Sequence, residues 1–142
     1  MRCSDKKFTL KAPNGKYVAS YNDYLFADND EKTPKGIFVF EKQDIWTGLF
    51  VIYAKERREK TGQGYWVGSN GAYGWCIQPR GTWGSGNNHW QKFQVLNQDD
   101  GSVVFKTIHG KYVNLETWSG HQRLVGKSDS INEDTKFTVE CA

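Results

Sequence analysis

A turn between two short strands is encoded by residues 103–113, which read Val-Val-Phe-Lys-Thr-Ile-His-Gly-Lys-Tyr-Val. Residues 8–18 follow the same plan as Phe-Thr-Leu-Lys-Ala-Pro-Asn-Gly-Lys-Tyr-Val. A middle copy starts at residues 50–53, takes a charged insertion, and resumes at residues 64–67 as Gly-Tyr-Trp-Val. The chain therefore contains three copies of a strand, a turn and a second strand.

The copies recur at a nearly constant interval. Tyr65 lies 48 residues after Tyr17 and 47 residues before Tyr112. Each copy closes on an aromatic strand after a polar stretch, at residues 37–41, 90–95 and 136–140. A repeat of this length indicates one supersecondary unit that is used three times.

Apolar and polar side chains alternate along these segments, as in Phe8 and Leu10 against Thr9 and Lys11, which is the period of a half-buried strand. Asn-Gly and Asp-Gly pairs punctuate the chain, and they favour antiparallel hairpins. Three repeats of about four strands each exceed what one open sheet holds comfortably. We therefore predict an all-β protein with the β-trefoil fold, a closed threefold barrel capped by hairpins.

The predicted single domain spans residues 1–142, with repeats at approximately 7–47, 48–100 and 101–142. Each repeat offers large apolar residues at matching points, and these are expected to fill the barrel. The predicted core residues are Leu10, Tyr17, Leu25, Phe38, Ile52, Tyr65, Ile77, Phe93, Phe105, Tyr112, Leu124 and Phe137.

Composition restricts the class of protein. A chain of 142 residues and 16.3 kDa suits one domain, and 6 Trp, 7 Tyr and 8 Phe supply the apolar surface that a disordered polar chain lacks. No apolar run is long enough to span a bilayer, and the first residues contain no signal-like apolar core. We expect a soluble protein that is cytoplasmic or released without a signal peptide.

The charge balance argues against a nucleic-acid binder, because 19 basic and 16 acidic residues give a net charge of only +3. The densest charged run, residues 55–60, alternates in sign and is predicted to be a solvated loop or hairpin tip. Trp46 lies between two repeats and is expected to plug the bottom of the barrel.

Three cysteines are an odd number and do not suggest a disulfide framework. Cys3 and Cys141 stand at opposite ends of the chain, where they would meet if the two ends pair as strands. Both the bridged and the unbridged alternative stay open. Cys76 is expected to be a half-buried thiol.

The third copy resembles the fascin and hisactophilin branch of trefoil proteins, on residues 104–115, 124–126 and 135–140. The first copy shares this likeness, and the middle copy shows it poorly. The resemblance implies actin binding or bundling. The chain departs from the branch in two respects, since hisactophilin is crowded with histidines while this chain has three, and fascin joins four trefoils while one is predicted here.

Catalytic motifs are absent from the sequence, which has no Gly-x-Ser-x-Gly elbow, no His-Glu-x-x-His, no Cys-x-x-Cys pair and no P-loop. His89, His109 and His121 lie apart, and a metal site would need carboxylates that the pattern does not place. We therefore expect neither an enzyme nor a cofactor or metal.

Aromatic and amide side chains exceed what a barrel core needs, and they cluster in equivalent hairpin regions of the repeats. A flat ring stacks on the C–H face of a pyranose, while amides, carboxylates and imidazoles bind its hydroxyls. The candidate carbohydrate-binding residues are Tyr21, Asn22, Asp23, Tyr24, Tyr73, Trp75, Trp83, Asn87, Asn88, His89, Trp118, His121, Gln122 and Arg123. Trp90 is assigned instead to the strand that closes the middle repeat.

The predicted function is non-catalytic, metal-independent recognition of glycans by these loops, as in a lectin. Up to three weak sites, or a homodimer, would add avidity. The alternative is a fascin-like cytoskeletal protein that binds F-actin through charged surface residues such as those at 55–60. Neither nucleic acid nor a membrane is predicted as a partner.

Overall fold

Twelve β-strands and one short α-helix make up the part of the chain that the structure, a computed structural model, describes: Cys3 and residues 6–42, 46–82 and 88–142. The strands are β1 (Lys7–Lys11), β2 (Tyr17–Tyr21), β3 (Tyr24–Asn29), β4 (Phe38–Lys42), β5 (Phe50–Ala54), β6 (Tyr65–Gly68), β7 (Ile77–Gly81), β8 (Phe93–Asn97), β9 (Val103–Thr107), β10 (Tyr112–Trp118), β11 (His121–Ser128) and β12 (Thr138–Cys141). Helix α1 is Lys55–Thr61, and the 3₁₀ helices are Pro34–Gly36, Gly71–Tyr73, Asn88–Gln91 and Glu133–Thr135. No helix in these ranges has the length and apolar character needed to cross a bilayer.

Six of the strands close a barrel. β1 pairs with β12 and β4, β4 with β5, β5 with β8, and β8 with β9, all antiparallel. The ring closes at Val103 of β9, whose backbone exchanges hydrogen bonds of 2.8 and 2.9 Å with Phe137, just before β12. Closure satisfies the backbone groups that an open sheet would leave at its edges.

The other six strands form three hairpins, β2–β3, β6–β7 and β10–β11. Each hairpin joins the barrel at the same point of its repeat, through the pairs Lys11↔Tyr17, Tyr53↔Tyr65 and Lys106↔Tyr112. This threefold plan of barrel and cap is a β-trefoil, so the predicted fold class is confirmed. The outer limits of the repeats stay a prediction.

Ten of the twelve predicted core residues are buried: Leu10, Leu25, Phe38, Ile52, Tyr65, Ile77, Phe93, Phe105, Leu124 and Phe137. The core prediction is wrong for Tyr17 and Tyr112, which are half-buried. The Tyr17 hydroxyl donates a 2.9 Å hydrogen bond to Glu140, and the Lys106 ammonium lies 5.3 Å from the centre of the Tyr112 ring. Polar partners therefore hold both rings at the barrel rim.

Two further local expectations, for residues 55–60 and for Trp46, are also wrong. Residues 55–60 belong to α1 rather than to a loop, because Lys55 with Glu59 and Glu56 with Lys60 form pairs one helical turn apart. Trp46 does not plug the barrel, since it is 90% exposed.

The two ends of the chain are held together. β1 and β12 pair along their length, and Cys3 forms a disulfide with Cys141 at a Cα–Cα distance of 5.4 Å. Of the two alternatives, the bridged one is therefore the case. Cys76 is a buried free thiol, and burial raises its pKa.

Candidate functional site

The candidate residues of the first and third repeats lie at the tips of two hairpins. Asn22 and Asp23 form the turn between β2 and β3, and Asn22 adopts a left-handed backbone with φ of 51°. Ser119 and Gly120 form the turn between β10 and β11, with φ of 50° and 81°. The positive φ of both Ser119 and Gly120 matches the twist of antiparallel strands, whereas in the first turn only Asn22 has positive φ. Aromatic residues flank both tight turns.

The two hairpins meet along a seam, which we define by the pairing of Phe26 in β3 with Arg123 in β11. The Phe26 ring lies 4.5 Å from that of His121 and 5.7 Å from that of Tyr24, at 14° to each. Trp118 packs on Tyr24 with ring centres 4.7 Å apart. The fold thus brings candidate residues of two repeats into one aromatic stack.

Cations cover ring faces of this stack. The Arg123 guanidinium lies 4.9 Å from the centre of the Trp118 ring, and the Lys35 ammonium lies 5.1 Å from that of Tyr21. Cation–π contacts of this kind stabilise the protein itself. They also occupy ring faces that a stacked sugar would need.

Polar candidates at the seam bind partners within the protein. The Asp28 carboxylate accepts hydrogen bonds from His121 Nδ1 at 2.7 Å and from the Gln122 backbone N–H at 3.1 Å. The Gln122 side-chain amide donates to the Thr117 hydroxyl at 2.7 Å. A sugar hydroxyl would have to displace these contacts.

Charged candidates beside the seam are paired as well. Glu116 accepts from Arg123 at 2.9 Å and pairs with Lys127, and the hydrogen bonds from Lys127 and Arg123 lower the pKa of Glu116. Asp23 accepts from Arg57 of α1 at 3.0 Å. The seam is therefore largely satisfied internally.

The middle repeat has an open cavity, which we call the middle cavity. Its volume is about 200 Å³, and it is lined by Val67, Ser69, Tyr73, Gln78, Arg80 and Trp90. The Tyr73 and Trp90 rings stand 6.1 Å apart at 65°, and Tyr73 is 66% exposed. Two aromatic walls therefore border a space that polar side chains also reach.

Short elements around the β6–β7 hairpin position the lining residues. The Asn70 side chain caps the 3₁₀ helix Gly71–Tyr73 by accepting a backbone hydrogen bond of 3.0 Å, and this helix carries Tyr73. Gln78 and Arg80 are two residues apart on β7, so their side chains leave the strand on the same side.

Trp90 is held by a second short element. It lies in the 3₁₀ helix Asn88–Gln91, and the buried Gln91 of that helix donates from Nε2 to the Thr82 carbonyl oxygen at 3.0 Å. The His109 ring packs edge-on against Trp90 with centres 5.2 Å apart. These contacts fix the indole that forms one wall of the middle cavity.

Trp75 packs within its hairpin and does not line the middle cavity. Its carbonyl oxygen accepts a 2.7 Å hydrogen bond from the Gly126 N–H. A Cβ on Gly71 would lie 2.9 Å from the Trp75 ring, so only glycine allows this close approach. The Lys111 ammonium lies 5.5 Å from the centre of the same ring.

The remaining middle-repeat candidates have different positions. Tyr73 lines the middle cavity, and the exposed His89 lies beside Trp90 with ring centres 5.9 Å apart. Asn88 begins the 3₁₀ helix, while Trp83 and Asn87 lie outside the described residues.

Sequence reasoning did not select Gln78, Arg80 or Trp90 as site residues. Strand alternation could have indicated Gln78 and Arg80. They lie one and three residues after the core residue Ile77, so their side chains face away from the core. The assignment of Trp90 to a strand is wrong, because β8 begins only at Phe93. Across the described residues, no cluster of three or more His, Cys, Asp or Glu could hold a metal ion.

Strand register identifies the equivalents of Arg80 in the other repeats. Asn29, Gly81 and Ser128 each lie opposite the tyrosine that begins their hairpin. The residues just before them, Asp28, Arg80 and Lys127, are therefore equivalent. All three are charged, but only Arg80 borders the middle cavity.

The equivalents of Trp90 follow from the 3₁₀ helices. Lys35, Trp90 and Asp134 each stand three residues before the buried phenylalanine that follows the helix, Phe38, Phe93 and Phe137 respectively. The middle repeat is thus the one with an aromatic residue at this position.

Comparison with known proteins supports the fold. No protein-family model matches the sequence, and no curated protein matches it. The designed threefold-symmetric protein ThreeFoil matches with a TM-score of 0.74 and 15% identity, over 97% of this chain and 100% of its own. The BEL beta-trefoil, in an apo crystal form, matches with a TM-score of 0.74 and 13% identity, over 100% of this chain and 97% of its own.

A third similar structure is a larger protein. The GlcNAcα1-4Gal-releasing endo-β-galactosidase from Clostridium perfringens matches with a TM-score of 0.67 and 11% identity, over 94% of this chain but only 31% of its own length. At sequence identities this low, structural similarity supports the fold but gives no information about function. Together with the strand topology, these matches establish that the chain has the β-trefoil fold.

Proposed function

We propose that this protein binds carbohydrate without catalysis, and that the middle cavity is its binding site. The observation that carries the proposal is the arrangement of the Tyr73 and Trp90 rings beside Gln78 and Arg80 in one open space of about 200 Å³. Pockets for drug-sized ligands measure roughly 300–1,000 Å³. The smaller middle cavity suits a single sugar unit of a larger glycan.

The lining offers both kinds of contact that a pyranose requires. The indole of Trp90 provides a flat surface for the C–H face of the sugar, and Tyr73 closes the space at an angle. The Gln78 amide both donates and accepts. The Ser69 hydroxyl donates to the Cys76 carbonyl oxygen at 3.0 Å, which leaves its lone pairs as acceptors for a sugar hydroxyl.

Recognition without catalysis fits the same lining. Glycoside hydrolysis in most families uses two carboxyl groups on either side of the bond, and none of the six residues that line the middle cavity is acidic.

The F-actin alternative gains no support from the charged run at 55–60. Lys55 pairs with Glu59 at 2.6 Å, and Lys60 pairs with Glu56 at 3.0 Å. Of the two other cations of α1, Arg57 pairs with Asp23 at 3.0 Å and the Arg58 guanidinium lies 4.4 Å from the centre of the Tyr53 ring. A surface that attracts actin by electrostatics would present charge of one sign.

A glycan array at physiological salt, followed by titration of the best ligand, tests the proposal. Trp90→Ala is expected to weaken binding about tenfold or more, because it removes the stacking surface. Trp46→Ala is the matched control, since Trp46 is exposed and lies outside the middle cavity. It is expected to leave affinity within about twofold of the unaltered protein.

Thermal unfolding of each variant separates lost binding from lost folding. A folded Trp90→Ala variant that binds as well as the unaltered protein would show that the middle cavity is not the site. Absence of any glycan ligand, together with saturable co-sedimentation with F-actin, would favour the actin alternative instead.

A further inference from the structure

Among the described residues that line the middle cavity, Arg80 alone has a charged side chain. Its side chain is exposed, and none of the described residues forms an ion pair or hydrogen bond with its guanidinium. The described lining of the middle cavity therefore carries one positive charge.

The equivalent charged side chains of the other two repeats have partners within the protein. Asp28 of the first repeat pairs with His121 at 2.7 Å. Lys127 of the third repeat pairs with Glu116. Of these three equivalent residues, Arg80 lies beside the aromatic walls, and its charge is available to a ligand.

An exposed arginine alone would indicate nothing, since solvated arginines are common on protein surfaces. Arg80, however, shares one side of β7 with Gln78 and shares the middle cavity with Trp90. A guanidinium binds a carboxylate through two parallel hydrogen bonds. The neighbouring amide can donate a further bond to the same group, while the sugar ring rests on the indole.

We propose that the middle cavity selects a sugar that carries a carboxylate, and that Arg80 binds this carboxylate. The inference rests on the proposed function and adds to it the chemical class of the ligand. Uronic acids and sialic acids belong to this class. A sulfate ester can also offer two oxygens to a guanidinium, so sulfated glycans belong on the array that tests the proposal.

The test is an array on which each acidic glycan stands beside its neutral counterpart, namely glucuronides beside glucosides and sialylated glycans beside their asialo forms. Titration of the best pair is expected to show about a tenfold preference for the acidic member at low salt. This preference should shrink as ionic strength rises, because exposed charges are screened.

Substitution at equivalent positions assigns the preference to one residue. Arg80→Gln is expected to lower the affinity for the acidic glycan about tenfold, and Arg80→Lys is expected to lower it less, because lysine keeps the charge but loses the planar fork. Lys127→Gln is the matched control, since it removes a positive charge from the same register of the third repeat. It should leave the affinity within about twofold.

The outcomes separate this inference from the proposed function. Equal affinity for acidic and neutral members, selection of sulfated glycans alone, or a preference that survives Arg80→Gln would each overturn the inference while glycan binding itself stands. If no glycan binds, or if Trp90→Ala binds normally, the proposed function fails and this inference fails with it.

Discussion

The middle and third repeats share one backbone plan but differ in what occupies the space beside the hairpin. In the middle repeat, Arg80 and Trp90 border an open cavity. In the third repeat, Lys127 and Asp134 stand at the same positions, and Lys127 is paired with Glu116. The backbone plan is therefore shared, while the side chains at two positions differ between the open cavity and its equivalent in the third repeat.

The first repeat shows a third outcome at the same place. Lys35 stands where the middle repeat has Trp90, and its ammonium lies over the Tyr21 ring. The groove there is also lined by Glu56, Arg57 and Lys60 of α1. Charged side chains thus replace the aromatic wall that distinguishes the middle repeat.

The largest expected effect is a loss of stability on removing the disulfide between the chain ends. Neither of its cysteines lines the middle cavity. The Cys3–Cys141 disulfide closes a loop with a sequence separation of 138, and its loss through Cys3→Ser/Cys141→Ser should lower the free energy of unfolding by about 2–4 kcal/mol. Urea unfolding measures this change. Glycan affinity at low temperature should be retained, because the bridge belongs to the first and third repeats.

Cys76→Ala serves as the control for that variant, because it removes a cysteine that forms no disulfide. Loss of glycan binding in a folded double variant would contradict this prediction. It would mean that binding depends on the chain ends and not on the middle repeat alone.

The next effect concerns the support beneath Trp90. A Cβ on Gly81 would lie 2.5 Å from Gln91 Nε2 and 3.0 Å from the Tyr65 carbonyl oxygen. Gly81→Ala should therefore displace Gln91 and the 3₁₀ helix that carries Trp90, at a cost of about 1–3 kcal/mol in the free energy of unfolding. Thermal unfolding and glycan titration should both show a loss.

The equivalent position in the third repeat provides the control for Gly81→Ala. Ser128 already has a Cβ in the same register, so Ser128→Ala should cost no more than about 1 kcal/mol and leave binding unchanged. Normal glycan affinity in a folded Gly81→Ala variant would show that Trp90 does not depend on this packing.

Lowering the pH is expected to have a smaller effect on stability, through Glu116 of the third repeat. Lys127 and Arg123 lower the pKa of Glu116 below its ordinary value of 4.5. Because the carboxylate form is favoured by folding, its contribution is fully present above that ordinary value and is lost as the pH falls through the lowered pKa. Surface pairs of this kind contribute about 0–1 kcal/mol each.

Thermal unfolding between about pH 7 and about pH 3 compares the unaltered protein with Glu116→Gln. The variant should be less stable at neutral pH, and the difference should narrow as the pH falls. Parallel curves would mean that Glu116 and its two cations contribute nothing to stability.

The smallest effect is expected from Trp118→Ala, and it tests the comparison most directly. The sequence-based hypothesis places Trp118 in a binding loop, whereas its ring packs on Tyr24 and beneath Arg123. Glycan affinity should change by less than about twofold, as measured by the titration used for Trp90→Ala. A tenfold loss would instead identify the seam as a second site.

Much of the fold could be predicted because its signals are local. A Gly-Lys turn between alternating segments specifies two successive antiparallel strands from about ten residues of sequence, and Tyr17, Tyr65 and Tyr112 show that the unit recurs. Helix α1 escaped prediction because its pairs, such as Lys55 with Glu59, stabilise a helix that has no buried residue. An insertion without an apolar face has no hydrophobic period to detect.

The candidate site was only partly predictable, because it depends on contacts between distant residues. The chain could be read for loops rich in aromatic residues, and Tyr73 was found in that way. It could not show that His121 meets Asp28, 93 residues away, or that this contact closes the first and third repeats on each other.

Local sequence thus determined the three repeats, their strands and most of the barrel core, because turns and alternating side chains act over a few residues. Tertiary contacts decided the rest: the Cys3–Cys141 bridge, the internally paired seam and the open middle cavity. Ring packing and ion pairing depend on which distant hairpins the closed barrel brings together. Two chemically similar loops can therefore differ, one packed against a neighbouring hairpin and the other bordering an open cavity.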